Sequence, residues 1–377
     1  MIRIDRLKAL AAATAAALAA LGAAPSAQAK AVTDCPLAMT PYSLDTPLFD
    51  LLIDGRAKQL IGDAGILAKL PPTLVREEAP SFATIISLRQ VTRIFKLDLV
   101  AVDGLGKALS ALPLTRANAV ARCARYAPDS KAPLSVPAGK PALLVFEHSN
   151  GFRDAPSVEA AQAALRGIAE RKGWTFVFTS NPGDITAANL RRFKGVFWNN
   201  VSGDVLTLRQ RAALRSWIEA GGGFAAIHGS GGDPLFIWDW YADTLIGARF
   251  IGHIDEHQTA RIIVDDAASP ITRGISRDWS MLEEWYSFEK SPRGPGTHIL
   301  LTIDETSYKP TSAMRDLKMG DHPVAWTRCV ERGRSFYSAI GHRPETYSEP
   351  NNVRLLEQAI AWTMGIEPSD CRKEAKK

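Results

Sequence analysis

GGGFAAIHGSGGD, residues 221–233, is the segment that says most about how this chain folds. Its first three glycines predict a tight turn, the apolar run Phe224 to Ile227 predicts a buried β-strand, and His228 stands where that strand ends. In an open α/β sheet, a side chain at the carboxyl end of a strand faces the crevice where ligands bind. We therefore expect His228 to lie in the functional site.

The sequence around this stretch alternates short apolar runs with amphipathic stretches, which predicts an α/β fold with a doubly wound, mostly parallel sheet. We predict strands at 142–146, 175–179, 195–198, 224–227, 259–264, 285–288, 298–302, 324–327 and 335–340. We predict helices at 158–171, 206–220 and 353–364. Asp204 or Thr207 can cap the second of these helices. This domain is expected to cover residues 142–366.

Residues 30–127 predict a small α-helical module. Thr46-Pro47 and Ser81 are helix-start signals, for helices over 48–53 and 82–88. Residues 128–141 are rich in proline and predict a linker. We expect the module to be a docking or lid element.

Residues 1–29 have the pattern of a secretory signal peptide, in which basic residues precede an Ala/Leu run that closes on Ala27-Gln28-Ala29. We expect a periplasmic or secreted protein without a membrane span. Removal of Arg3, Asp5, Arg6 and Lys8 lowers the formal net charge from +5 to +3. So small a charge argues against a nucleic-acid partner. Residues 367–377 form a charged tail, and the oligomeric state stays open.

Four cysteines in a chain bound for an oxidising compartment predict two disulfides. Three pairings are open. We prefer Cys35 with Cys123 and Cys329 with Cys371, because each bond then closes one module. The spacings fit neither a zinc knuckle nor a CxxC redox pair.

All seven histidines lie beyond residue 141. Those at predicted strand ends or in adjoining loops are His148, His228, His253, His257, His322 and His342, whereas His298 is expected to be structural. Asn199 and Asn200 close a third strand, so His148 and the two asparagines are expected to share the crevice with His228, although turn capping would also explain either asparagine.

His342 follows a predicted strand and precedes Glu345, so Glu345 could orient its imidazole for acid–base work, although a surface turn would use the same residues. Strand alternation places Glu284 and Tyr286 on one side, facing the pocket, and Glu283 on the other, facing solvent. Trp240 and its aromatic neighbours could stack on a sugar ring, although core packing explains most tryptophans.

Residues 142–366 resemble the ThuA-like (trehalose utilisation) family, whose fold is that of the class I glutamine amidotransferases. The residues that carry the resemblance are Gly151-Phe152-Arg153, Ser202 to Val205, Gly221 to Phe224, Ile227-His228, Asp233, Glu283 to Tyr286, Asp321-His322-Pro323, Trp326, Gly333 to Tyr337 and Gly341-His342. In the amidotransferases this strand exit carries a cysteine nucleophile, which is absent here. Glutaminase chemistry is therefore excluded.

The resemblance also implies that His342 and Glu345 correspond to the amidotransferase base and its partner, and that the ligand is a carbohydrate. Family members often have Gly-Phe-Arg-His where this chain has Asp154, so any role of that histidine is lost. Arg153 belongs to the same loop and is expected to bind substrate.

Two hypotheses about function remain. In the first, an exported enzyme acts on a sugar or keto-glycoside by hydrolysis, elimination or isomerisation, with His228, His342 and Glu284 as acid–base groups. In the second, a non-catalytic protein binds sugar or serves as a scaffold on a fold that has lost its nucleophile. Substrate contacts are expected from His148, Arg153, Asn199, Trp240, Tyr286 and His322. The donors His228, Glu284, His322 and His342 admit a divalent metal without requiring one.

Overall fold

The computed structural model describes residues 31–96, 99–368 and 371, so the expected signal peptide and most of the charged tail lie outside the described residues. The described residues from Val32 onward belong to one compact unit. Within the described ranges, no helix combines the length and apolar character that crossing a membrane requires.

The N-terminal region is helical, as predicted. Its helices are α1 Leu48–Leu52, α2 Gly55–Asp63, α3 Leu88–Ile94, α4 Leu99–Ser110 and α5 Arg116–Cys123. The predicted helix over 82–88 is wrong, because Ser81 caps a single 3-10 turn, Phe82–Thr84, and Ser87 starts a new helix. The Ser87 hydroxyl accepts from the Gln90 N–H at 3.2 Å, and the Gln90 side chain accepts from the Ser87 N–H at 2.8 Å. This capping box fixes the start of α3.

Beyond this region, the described residues form strands and four further α-helices. The strands are β1 Ala142–Phe146, β2 Thr175–Thr179, β3 Gly195–Asn199, β4 Gly223–Ile227, β5 Phe250–His253, β6 Gln258–Val264, β7 Trp279–Glu283, β8 Tyr286–Phe288, β9 Thr297–Ile303, β10 Thr311–Ser312, β11 Arg315–Asp316, β12 Pro323–Val330 and β13 Gly333–Ser338. The helices are α6 Ala155–Lys172, α7 Ala187–Leu190, α8 Leu208–Glu219 and α9 Pro350–Thr363. Each predicted strand overlaps an observed one, but β5, β7, the β10–β11 hairpin and a π-helical segment, Trp240–Ile246, were not predicted.

A nine-stranded sheet in the order β2-β1-β3-β4-β13-β12-β9-β6-β7 forms the centre of the fold. The first five strands are parallel, and the remaining pairs are antiparallel. The outcome agrees with the predicted α/β class and mostly parallel sheet. The antiparallel extension explains why strands dominate the second half of the sequence.

Helices cover both faces of this sheet, as consecutive residues of β13 show. A Cβ at Gly333 would meet the Ile218 carbonyl of α8, whereas Arg334 donates to the Trp362 carbonyl of α9. Adjacent residues of a strand point to opposite faces, so α8 and α9 lie on opposite sides. Thr207, and not Asp204, caps α8.

The N-terminal region has its own apolar core, which includes Leu48, Leu51, Leu88 and Val91. It is also hydrogen-bonded to the sheet domain, for example from the Gln90 amide to the Pro234 carbonyl at 2.7 Å. Disulfides join Cys35 to Cys123 and Cys329 to Cys371, the pairing that we prefer from the sequence.

Candidate functional site

The carboxyl ends of β3 and β4 carry two residues with unusual backbone geometry. Asn200 has φ 53° and His228 has φ 38°, in the left-handed region that side chains rarely adopt. The Asn200 side chain accepts from the Gly229 N–H at 3.1 Å and joins the two strand exits. Strained residues of this kind cluster at functional sites.

Three ring and carboxylate atoms converge above these strand exits. His228 Nε2 lies 3.3 Å from His342 Nδ1 and 3.4 Å from Glu284 Oε2, and His342 Nδ1 lies 3.4 Å from the same oxygen. The three atoms therefore form a nearly equilateral triangle. All three side chains were predicted site residues.

Glycine at position 341 allows His342 to come this close to His228. Gly341 has φ 145°, and a Cβ there would lie 2.5 Å from the Tyr347 hydroxyl and 3.2 Å from the His228 Cβ. A larger residue would push the turn away from β4, so the triangle depends on this glycine.

Buried Glu283 holds the turn that carries His342. It accepts hydrogen bonds from the backbone N–H groups of Gly341, His342 and Arg343 at 3.2–3.3 Å, and from the Thr346 hydroxyl at 2.6 Å. We expected Glu283 to face solvent, but it is fully buried. The β7 strand ends at this residue, which lets the two adjacent glutamates serve different parts of the site.

The protonation of the triangle follows from its contacts. Burial opposes protonation of His228, but the hydrogen bond and charge of Glu284 outweigh it and raise the pKa of His228. Burial likewise opposes ionisation of Glu284, yet its bond to His228 and the neighbouring histidine charges lower its pKa to about 2. Burial lowers the pKa of His342. A proton on His228 therefore pairs with Glu284, and His342 is the neutral member.

Further contacts fix the rings and the carboxylate. His228 Nδ1 lies 2.7 Å from the Ala339 carbonyl, to which it donates, so a neutral His228 directs the lone pair of Nε2 into the triangle. His253 Nδ1 lies 3.2 Å from the other oxygen of Glu284. The Tyr286 ring stacks on His228 with centroids 4.1 Å apart.

This geometry fits a divalent metal. Metal–ligand bonds of about 2.0–2.1 Å in tetrahedral arrangement separate the ligand atoms by about 3.3 Å, close to the observed spacing. Two histidines and one carboxylate are a common donor set, and the carbonyl bonded to His228 Nδ1 is the usual outer partner of a ligating imidazole. Among the described residues, His228, Glu284 and His342 are the group of donors close enough together to hold an ion.

The triangle opens into a cavity of about 860 Å³. Ligand sites of drug-sized molecules usually span about 300–1,000 Å³, so the cavity has room for more than one ring. It is lined by both parts of the structure, with Phe82, Ile85, Ile86 and Ile94 from the N-terminal region.

The family model for trehalose utilisation, ThuA, matches residues 142–363, which is more than half of the 377 residues. The chain belongs to the ThuA family. A ThuA-like protein of Bacteroides uniformis ATCC 8492 is 22% identical, with a TM-score of 0.53 over 63% of this chain and 94% of that chain. A ThuA-like protein of Parabacteroides merdae ATCC 43184 is 16% identical, with a TM-score of 0.46 over 61% of this chain and 92% of that chain. No curated protein matches the chain.

Several predicted site residues of this ThuA domain lie elsewhere. His148 bonds to the Ser180 carbonyl at 2.9 Å, Arg153 pairs with Glu147 at 3.6 Å, and neither lines the cavity. Asn199 is buried and donates to the Val158 carbonyl at 3.0 Å. Trp240 begins the π-helical segment and packs on Trp238, which precedes that segment. Trp240 also lies outside the cavity. Of the expected substrate contacts, Tyr286 lines the cavity.

His322 and Glu345 do not have the contacts that were predicted for them, His322 as a substrate contact and metal donor and Glu345 as the partner of His342. His322 is buried with both ring nitrogens engaged, Nε2 at 2.7 Å from the Tyr286 carbonyl and Nδ1 at 3.0 Å from Glu305, so it does not join the metal donors. Glu345 is largely exposed and pairs with Arg343 at 3.1 Å. The carboxylate that contacts the His342 ring is Glu284.

Asn200, which was expected in the crevice, lines the cavity, whereas sequence reasoning missed His253 and Asp154, which also line it. His253 ends β5, a strand that was not predicted, although its position in a loop-rich stretch of histidines was a usable signal. Asp154 stands where the resemblance led us to expect the loss of a histidine. The N-terminal wall of the cavity had no sequence signal of its own.

Proposed function

We propose that this ThuA family member is an exported enzyme of carbohydrate catabolism that acts on a sugar or keto-glycoside by hydrolysis, elimination or isomerisation. The observation that carries the proposal is the triangle of His228, Glu284 and His342, open to a cavity large enough for a glycoside. Export is supported by the two disulfides and by the expected signal peptide.

The triangle and the residues around it would bind a metal ion, position its ligands and accept a proton. A divalent ion held by His228, Glu284 and His342 would supply Lewis-acid polarisation of a sugar hydroxyl or carbonyl oxygen. His253 Nδ1 contacts the second oxygen of Glu284 at 3.2 Å as well as the Ile254 carbonyl at 2.8 Å. Tyr286 covers one face of His228, and Glu283 keeps the His342 turn in place. Asp154 lines the same cavity as a carboxylate that can take up a substrate proton.

We also propose that residues 30–127, 128–141 and 142–366 act as helical module, linker and ThuA domain. Support comes from the separate apolar core of the N-terminal region and from the limits of the family match.

Elemental analysis and turnover together test this function. Protein purified without an affinity tag is analysed for bound metal, and turnover of keto-glycosides is compared for wild type, His228→Ala and His298→Ala. His298 is the matched control, since it is paired with Asp266 at 3.0 Å on the surface, away from the cavity. We expect stoichiometric metal, with metal and turnover lost only in His228→Ala. Sub-stoichiometric metal in wild type would refute the metal site, and sugar binding without turnover would favour the non-catalytic alternative.

A further inference from the structure

Three exposed apolar side chains line the cavity. Among the described residues, eight large apolar side chains are exposed, and three of them, Phe82, Phe152 and Met314, line this one cavity. They come from three distant parts of the sequence. Apolar groups gathered in this way mark binding surfaces, because water contact with them is unfavourable.

Phe82 and Phe152 form an aromatic pair. Their ring centroids are 5.1 Å apart with an interplanar angle of 32°, and the side chains are 41% and 43% exposed. Three isoleucines of the N-terminal region also line the cavity, the buried Ile85 and Ile86 and the half-buried Ile94. We call these five residues the apolar wall.

The apolar wall is held rigidly against the ThuA domain. The Ser81 N–H and the Thr84 hydroxyl both donate to the Asn150 carbonyl at 2.9 Å. A Cβ at Gly151 would lie 2.6 Å from Ile85 Cγ2 and 2.5 Å from the Ser202 hydroxyl, so glycine permits this close approach. A wall fixed before binding loses little entropy when a ligand arrives.

Two polar residues of helix α3 also line the cavity, the exposed Arg93 and Gln90, and Gln90 is already used within the protein. Gln90 also lines the cavity, but its amide donates to the Pro234 carbonyl at 2.7 Å and its carbonyl accepts from the Ser87 N–H at 2.8 Å. Sugar hydroxyls need such partners, because burial without hydrogen bonds is costly. The wall therefore favours a flat apolar group over a second sugar.

The structure assigns the apolar wall to the aromatic aglycone of an aryl glycoside whose sugar reaches His228, Glu284 and His342. This assignment rests on the proposed function for the sugar. Phe82, Ile85, Ile86 and Ile94 lie outside the residues matched by the family model, so they give this chain a specificity of its own.

Calorimetric binding tests the assignment without turnover. The probes are 4-nitrophenyl and methyl 1-thioglycosides of glucose, galactose and mannose, with 4-nitrophenol alone as the sugar-free probe. Phe82→Ala and Phe152→Ala are compared with Leu208→Ala, a matched control that truncates an apolar side chain 51% exposed and outside the cavity. Circular dichroism of each variant verifies folding, and Phe82→Leu and Phe152→Leu replace any alanine variant that does not fold.

We expect wild type to bind at least one aryl glycoside about tenfold more tightly than its methyl partner. Phe82→Ala and Phe152→Ala should abolish this preference, and Leu208→Ala should keep it. Binding of 4-nitrophenol alone that depends on Phe82 would support the wall even if every sugar failed to bind, which separates it from the proposed function. Equal affinity of wild type for every aryl and methyl pair, with no Phe82-dependent binding of 4-nitrophenol, or an equal loss in Leu208→Ala, would overturn the assignment.

Discussion

Two buried histidine–carboxylate groups of the ThuA domain differ in what their ring nitrogens contact. His322 has both nitrogens engaged by groups of the protein, Tyr286, Glu305 and Tyr308. His228 uses one nitrogen on a backbone carbonyl and directs the other at Glu284 and His342, at the edge of a cavity. We call the His322 group closed, because its ring nitrogens contact only buried groups of the protein. The His228 group lies at the edge of the cavity, where a ligand can reach it.

The comparison shows that a histidine near a carboxylate is not by itself a functional signal. Glu305 also accepts from the Met319 and Gly320 N–H groups at 2.6 and 2.8 Å, so that group fastens a loop. Buried polar groups satisfied in this way stabilise a fold without reacting. Convergence of three ligand-type atoms on one point at the edge of a cavity distinguishes the triangle.

The largest expected effect is on turnover when the triangle loses its carboxylate. Glu284→Gln keeps the size of the side chain but removes the negative charge, and keto-glycoside turnover should fall about a thousandfold, with loss of bound metal. Glu305→Gln makes the same chemical change in the closed group and should leave turnover per folded molecule within about threefold. Similar losses of turnover in both variants would contradict the distinction between the triangle and the closed group.

Truncation of His322, in the closed group, should lower the free energy of unfolding and leave the metal content unchanged. His322→Ala leaves the buried Tyr286 carbonyl and Glu305 without their partner, so we expect a loss of about 3 kcal/mol in the free energy of unfolding. Urea denaturation measures it. Metal content of the folded fraction should match wild type, and a variant that kept its stability but lost its metal would place His322 in the site after all.

The sequence was informative about this site where local patterns decide geometry. Apolar runs located β1 to β4, and a strand that ends in a sheet directs its last residues to the crevice, so His228 followed from its position. His342 was also a candidate from its position after a strand, but a surface turn explained the same residues equally well. Glu284 and Tyr286 line the cavity as expected, although Glu284 lies between β7 and β8 and the expected exposure of Glu283 was wrong. These inferences need only the neighbouring residues.

Partners that are distant in sequence could not be predicted in this way. Glu345 is close to His342 in sequence, but its side chain points away, and Glu283 holds the turn from 59 residues earlier. The N-terminal wall reaches the cavity through contacts such as Ser81 with Asn150, which no periodicity encodes. His253 was missed as a partner of Glu284 because β5 is short and half-exposed.

His253 provides an intermediate case between the two groups. It contacts the oxygen of Glu284 that does not face the other two ligands, at 3.2 Å, so His253→Ala should lower metal affinity by about 10–100-fold while the protein stays folded. Metal titration against a competing chelator measures this affinity. An unchanged affinity would limit the site to the three residues of the triangle.

The smallest effect is expected at a third pair, His298 with Asp266, in which the histidine side chain is 56% exposed. Solvent screens such pairs, so His298→Ala should change the free energy of unfolding by less than about 1 kcal/mol and leave turnover and metal content unchanged. Denaturation and turnover measured on the same preparation test this. The same distance of 3.0 Å joins His322 to Glu305 in the closed group, so the two pairs differ in exposure and not in contact distance. A large loss of stability in His298→Ala would mean that exposure does not determine how much each pair stabilises the fold.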